Sequence, residues 1–311
     1  MKRILRIVGE LRTSLADGGI EAMAATHEAA LRSSLSYRLF FASLGLLYPA
    51  APLLDLLKEL DRQVEVSGFD GALGSVLDLL PASWCVSFPP RGEEEIRSRP
   101  IIVFGRHGSI LTPFLVAMAL ERSDLKMIGA SYVAQLGPNI ADRVFAVHLS
   151  IPSLRRAARR GILLRLGAWL VAKLDTPIPR DVARERNRTA LTQAGEHVLH
   201  GGALLVAPDA GNPKAEWRTG IGWLIGRLAR SERAEAQVLL VPYRVWAPIL
   251  GIFHLLSSNP ILRALGRWQY RRPARVVFGE PFPLSDVIDR VGTDPVAITR
   301  HLEHRYCGLG L

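Results

Sequence analysis

Two stretches of this 311-residue chain carry side chains that can move a proton. The first, PIIVFGRHGSILTPFL (Pro100–Leu115), sets Arg106-His107-Gly108-Ser109 between two apolar runs. An imidazole delivered by a strand to the start of a helix can take the proton of a hydroxyl and turn it into a nucleophile. Gly108 permits close backbone approach. Ser109 reads as a helix N-cap or as a hydrogen-bonding group of the site. The second stretch, ALLVAPDAGNPKAEWRTGIGWLIGRLA, places Asp209 after Pro208 at a strand end, with Lys214 and Arg218 following. Gly220 then opens an apolar helix whose first N–H groups suit a phosphate. Asp209 belongs either to that site or to an ordinary turn that it caps. Two further runs accompany these: VLLVPYRVW, read as a buried strand ending at Pro242, and ARVVFGEPF, a late strand followed by Gly279-Glu280-Pro281.

These residues need a scaffold, and the chain after residue 95 supplies a repeating one. PIIVFG, KMIGA, RVFAVHL, ALLVAP, AQVLLVPYRV and ARVVFG are short apolar or β-branched runs. Longer helical patterns alternate with them, SYVAQLG and TGIGWLIGRLARS among them. Such alternation predicts an α/β fold, a mostly parallel sheet flanked by helices. Ligands of such sheets bind beyond the carboxyl ends of the strands, where His107 and Asp209 both fall. Residues 1–95 read as an N-terminal helical segment that suits association with a membrane, and 96–311 as the α/β domain. In KRILRIVGEL, Ile4, Leu5, Ile7, Val8 and Leu11 share one side. PPRGEEEIRSRP reads as a proline-bounded polar loop at the boundary.

In this order the stretches resemble the glycerolipid acyltransferase superfamily, which includes lysophosphatidate acyltransferases and the late acyltransferases of lipid A assembly. Its first motif is His, four residues, then an acid, often with Ser two after the His; here stand His107, Ser109 and Thr112. A later motif is an apolar strand ending in Pro-Glu-Gly or, in the lipid A branch, Pro-Asp, matched by Pro208-Asp209. A basic residue and a Gly leading into an apolar helix are matched by Lys214 or Arg218 and by Gly220. Val241-Pro242 and Gly279-Glu280-Pro281 match the last two. The long interval from His107 to Asp209 points to the lipid A (lauroyl or myristoyl) branch. The resemblance spans roughly residues 95 to 290, and it departs from the family at Thr112, which cannot carry the charge of the family's acid. Asp209 is the first candidate to replace that acid, and Asp142 the second.

The resemblance implies a membrane-associated O-acyltransferase. It would move a fatty acyl group from acyl carrier protein or acyl-CoA to a hydroxyl of a lipid or glycolipid. His107 would be the general base and Asp209 its orienting acid. Arg106, Lys214 and Arg218 would hold phosphate, and Ser109 and Thr112 would bond the acceptor. The thioester is already activated, so no metal and no further cofactor is called for. The alternative is a degenerate, non-catalytic member of that fold that binds lipid or a partner at the membrane.

Composition agrees with a basic, greasy protein. Formal net charge is +10, hydrophobic residues make up 49%, and mean hydropathy is +0.17. Charge of this sign favours anionic partners. From Ile151 to His200 ten Lys/Arg face four Asp/Glu, a local +6, and Ile261–Arg275 holds five Arg and no acid. PSLRRAARRGILLRLGAWLVAKL and ILGIFHLLSSNPILRALGRWQYRR combine arginines, tryptophan and apolar residues, as membrane-surface helices do. The first also reads as a core-facing helix with a solvated Arg face. Nucleic acid is not an expected partner, because the arginines sit among apolar runs. Leu39–Leu54 is uncharged but shorter than a spanning helix and reads as interfacial or buried. The N-terminus shows no secretory signal, and the two cysteines set no disulfide or zinc pattern. The expected location is the cytoplasmic face of the cell membrane.

Overall fold

A computed structural model of the chain describes residues 2–45, 50–78, 84–90, 92–107, 112–148, 178–209, 216–231, 237–248, 251–257 and 259–308. In chain order the elements are α1 (Lys2–Ser33), α2 (Leu35–Gly45), α3 (Ala50–Asp78), β1 (Trp84–Ser87), α4 (Glu93–Ser98), β2 (Ile101–Phe104), α5 (Thr112–Leu120), β3 (Lys126–Ala130), α6 (Pro138–Ala141) and β4 (Val144–Val147). There follow α7 (Arg180–Leu199), β5 (Ala203–Val206), α8 (Gly220–Leu228), β6 (Leu239–Trp246), α9 (Gly251–Leu256), α10 (Pro260–Gln269), β7 (Ala274–Phe278), β8 (Phe282–Pro283), α11 (Leu284–Val291) and α12 (Pro295–Cys307).

The sheet runs β1-β7-β6-β2-β5-β3-β4, with β8 also on β6. Its ladders are parallel except β6–β7 and β6–β8. The expected mostly parallel α/β architecture is what the chain adopts. β2 and β5 are central and wholly buried, which is why they read as unbroken apolar runs. Their alternation still sorts the two faces. Ile101 and Val103 join a core with α3 and α5 residues such as Leu60, Leu115 and Val116. Ile102 and Phe104 join the opposite core with α7, α8 and α12.

Four local readings differ from the structure. PPRGEEEIRSRP is not all loop: Glu93–Ser98 forms α4, with three glutamates in its first turn and Ile96 fully buried beneath. Acids at a helix N-terminus favour the turn, and one buried apolar residue anchors it. β1 lies within the segment read as helical and pairs in parallel with β7, so the sheet draws on residues before 96. SYVAQLG is a series of turns rather than a helix. β6 does not stop at Pro242 but continues to Trp246. Pro242 has no N–H for a ladder. It sits where β6 passes from β2 to β7, and its carbonyl accepts from Gly279 N–H at 2.8 Å.

The N-terminal helices make their own core from Ile7, Leu11, Leu15, Ile20 and Tyr37; Val8 is buried as well. α1 kinks at Gly19, whose φ of 66° is in the region that favours glycine. The adjoining Ile20 N–H donates to Leu136 O at 3.1 Å. Asp61 of α3 caps α6, accepting from Ile140 N–H at 2.9 Å. These helices therefore attach to the segment that leaves β3. No helix among the described residues is long and apolar enough to cross a membrane. Leu39 is exposed on α2, and residues 46–49 of the Leu39–Leu54 run lie outside the described residues, as does the basic stretch 151–177.

At the amino edge of the sheet the buried Arg122 guanidinium binds Asp124 at 2.6 Å and Gly201 O at 3.0 Å. It also donates to the carbonyls of Ile96 and Arg99.

A buried histidine and a half-buried one give the fold a pH dependence. His27 Nδ1 lies 2.7 Å from the Tyr37 hydroxyl, and burial lowers its pKa from the ordinary 6.5, against a smaller opposing effect of Glu28. His197 Nε2 lies 3.1 Å from Ala203 O. Burial again lowers its pKa, outweighing that hydrogen bond. Both bind a proton more readily unfolded, so stability is full above about pH 6.5 and falls as pH drops below it. The expected result is a Tm that declines from pH 7 to pH 5 and declines less in a His27→Gln/His197→Gln variant. An equal decline in both proteins would remove these histidines as the cause.

Candidate active site

β2 and β5 are adjacent and in register, Phe104 beside Val206. Their next residues therefore emerge together at the carboxyl edge. Gly105 N–H still donates to Val206 O at 3.2 Å. Two residues on, His107 N–H points at Asp209 and lies 3.1 Å from each of its carboxylate oxygens. Asp209 is 2% exposed. A buried carboxylate must be bonded, and a main-chain N–H is a strong, fixed donor. The acid and the histidine named from sequence thus meet, across 102 residues of chain. The contact runs through the histidine's main chain: Asp209 fixes where the strand exit places the half-buried imidazole.

The close approach assigned to Gly108 is seen at Gly105. A Cβ there would stand 2.3 Å from Tyr243 O and 3.0 Å from both Cε atoms of its ring. Only a glycine lets β6 bring Tyr243 flat against the exit of β2. Tyr243 is wholly buried, and its pKa is raised well above the ordinary value by burial first, then by the charge of Asp209 and by Tyr306. It keeps its proton beside Asp209 and stays a hydrogen-bond donor. The sequence reading missed Tyr243 because it ended β6 one residue earlier; its place directly after Val241-Pro242 was the available signal.

Arg106 turns to α12. Its guanidinium pairs with Glu303 at 2.8 Å and lies 6.0 Å from the Tyr306 ring centroid. Arg244 lies 5.1 Å from the same ring, and Trp217 packs on it at 5.4 Å. Arg106, expected to hold phosphate, is thus already held by an acid 197 residues away. Arg218 is exposed, and its N–H donates to Pro208 O at 3.0 Å, next to Asp209 in the chain. Gly220 is the first residue of α8. Thr219 before it makes no side-chain cap, so it does not satisfy the first N–H groups of that helix.

Thr112 starts α5 and is buried at 1% exposure, in a helix whose Leu115, Val116 and Ala117 belong to the core. Ser109 and Lys214 lie outside the described residues. Asp142 follows α6 and precedes β4, which places it at the amino edge, away from His107. As the second candidate for the missing acid it is ruled out by the direction of β4, which is parallel to β3.

No protein-family model and no curated protein matches the chain. Among solved structures it is similar to the 1-acyl-sn-glycerophosphate (LPA) acyltransferase PlsC from Thermotoga maritima, at 15% identity and a TM-score of 0.41. The match covers 96% of this chain and 92% of that one.

Proposed function

We propose that the chain is a peripheral membrane O-acyltransferase that moves a fatty acyl group from acyl-CoA or acyl carrier protein to a hydroxyl of a lipid or glycolipid. The observation that carries this reading is the His107–Asp209 contact at the carboxyl edge, on the two residues that the motif order had singled out. His107 takes the proton of the acceptor hydroxyl as its oxygen attacks the thioester carbonyl. The tetrahedral intermediate collapses with loss of the thiolate, which recovers that proton from the imidazolium. The products are an ester and a free thiol. The negative charge of Asp209 favours the positive charge that builds on the ring. Arg218, Lys214 and the start of α8 at Gly220 suit an acceptor phosphate, and Ser109 suits an acceptor hydroxyl. The protein works at an anionic membrane on the cytoplasmic face.

The lipid A branch would make the acceptor a glycolipid, and the test separates the acceptors. Purified protein is given labelled acyl-CoA or acyl carrier protein with either a lysophospholipid or a glycolipid acceptor, and labelled ester is measured. Ester with a lysophospholipid only would move the reading away from the lipid A branch. No ester with any pair, from protein that still binds these lipids, supports a non-catalytic lipid binder instead. The burial of Thr112 where the family has its acid favours that second reading.

A further inference from the structure

α10 carries its apolar stripe on the wrong side for a core. Ile261, Leu265 and Trp268, spaced four and three apart, form one line on the helix. They are 76%, 39% and 60% exposed. The inward line is Leu262, Gly266 and Gln269. A Cβ on Gly266 would stand 2.8 Å from Leu255 N of α9, and Gln269 meets His254 at 3.1 Å. A third line carries exposed Arg267, and exposed Arg271 and Arg272 follow just beyond the helix end at Gln269. Asn259 caps the helix start, accepting from Ile261 N–H at 2.9 Å, so the helix is built to hold this posture.

We infer that α10 is a docking helix that lies in the plane of an anionic phospholipid surface, with Ile261, Leu265 and Trp268 in the acyl boundary and the arginines on the headgroups. Charge selects this occupant. From Gln237 to Gly279 the chain has six Arg and no Asp or Glu. A second copy meeting this face would set arginine against arginine. An acidic protein would be met by charge, yet the outermost line of the helix is apolar. An in-plane helix at a lipid interface has this order of apolar stripe and flanking cations.

Position links the surface to chemistry. β6 runs parallel to β2, and its last residue, Trp246, lies four positions beyond the level of Phe104. Trp246 is itself 49% exposed and pairs with Arg275. α9 and α10 follow it, so they leave the sheet at the edge that holds His107 and Asp209. This placement rests on the acyl-transfer reading for its purpose only.

The test reads binding without any acyl donor, so lost docking and lost transfer are separable. The full chain is sedimented with vesicles of phosphatidylcholine alone, or of phosphatidylcholine and phosphatidylglycerol in equal parts. The wild type binds the anionic vesicles. Ile261→Ser/Leu265→Ser/Trp268→Ser lowers that binding by at least about tenfold with an unchanged Tm. Arg267→Gln, Arg271→Gln and Arg272→Gln each weaken it roughly fivefold, and only on anionic vesicles. Brominated acyl chains quench wild-type fluorescence more than that of a Trp268→Phe variant. Undiminished vesicle binding by the serine variant overturns the inference. So does a lipid-free wild-type dimer that this variant converts to monomer, which would make the face a contact between copies.

Discussion

A His107→Ala protein folds normally and loses about 10²–10⁴ in kcat for acyl transfer, the usual worth of a positioned general base. The fold survives because alanine keeps the main-chain N–H that satisfies the Asp209 carboxylate. The substitution removes the imidazole and nothing that holds the strand exit together. The rate of ester formation at saturating donor and acceptor measures the loss. The acid limb of the kcat/KM profile, set by the base in the free enzyme, disappears with the histidine. A variant that turns over as fast as wild type with both donor types would end the role given to His107.

Asp209→Asn lowers kcat about 10²-fold, a loss typical of a reacting group displaced by 1 Å. One amide oxygen replaces two carboxylate oxygens that share the His107 N–H, and the charge is lost in a wholly buried place. Such a hydrogen bond to a charged group is worth about 1.5–3 kcal/mol. In the proposed mechanism Asp209 acts through His107, as a positioning residue, and the acid limb of the pH profile is expected to persist in Asp209→Asn. Thr112→Asp supplies the control. The new carboxylate enters a buried helix start and is desolvated there. Lower stability and no gain in kcat are expected, because the proposed mechanism already gives Asp209 that role. A faster Thr112→Asp enzyme would mean that the acid was lacking.

The central strands were legible because burial on both faces leaves a plain signature: β2 and β5 read as unbroken apolar runs. His107 and Asp209 could then be assigned to one edge, since parallel strands fix the direction of each exit. β1 was hidden for the opposite reason. It is a four-residue strand of half-buried and exposed residues, next to a helical region. The turns at 131–136 were misread because they end where Leu136 accepts the Ile20 N–H of α1, just before the α6 start that Asp61 of α3 caps, and a local pattern does not record a distant partner. The same holds for Glu303 on Arg106 and for Tyr243 over Gly105. The outward stripe of α10 was visible as an amphipathic pattern, but only the packing of Gly266 on α9 shows which face is turned to solvent.

Arg122 sits at the sheet's amino edge, gathering the carbonyls that precede β2 and β5, while His107 and Asp209 occupy the carboxyl edge. On the proposed function, cohesion and reactivity are thereby allotted to opposite rims of the same strands. Substitutions beside His107 leave the clasp that Arg122 provides intact, so on the acyl-transfer reading the choice of acceptor can be retuned by small steps without first having to find a new way to fold.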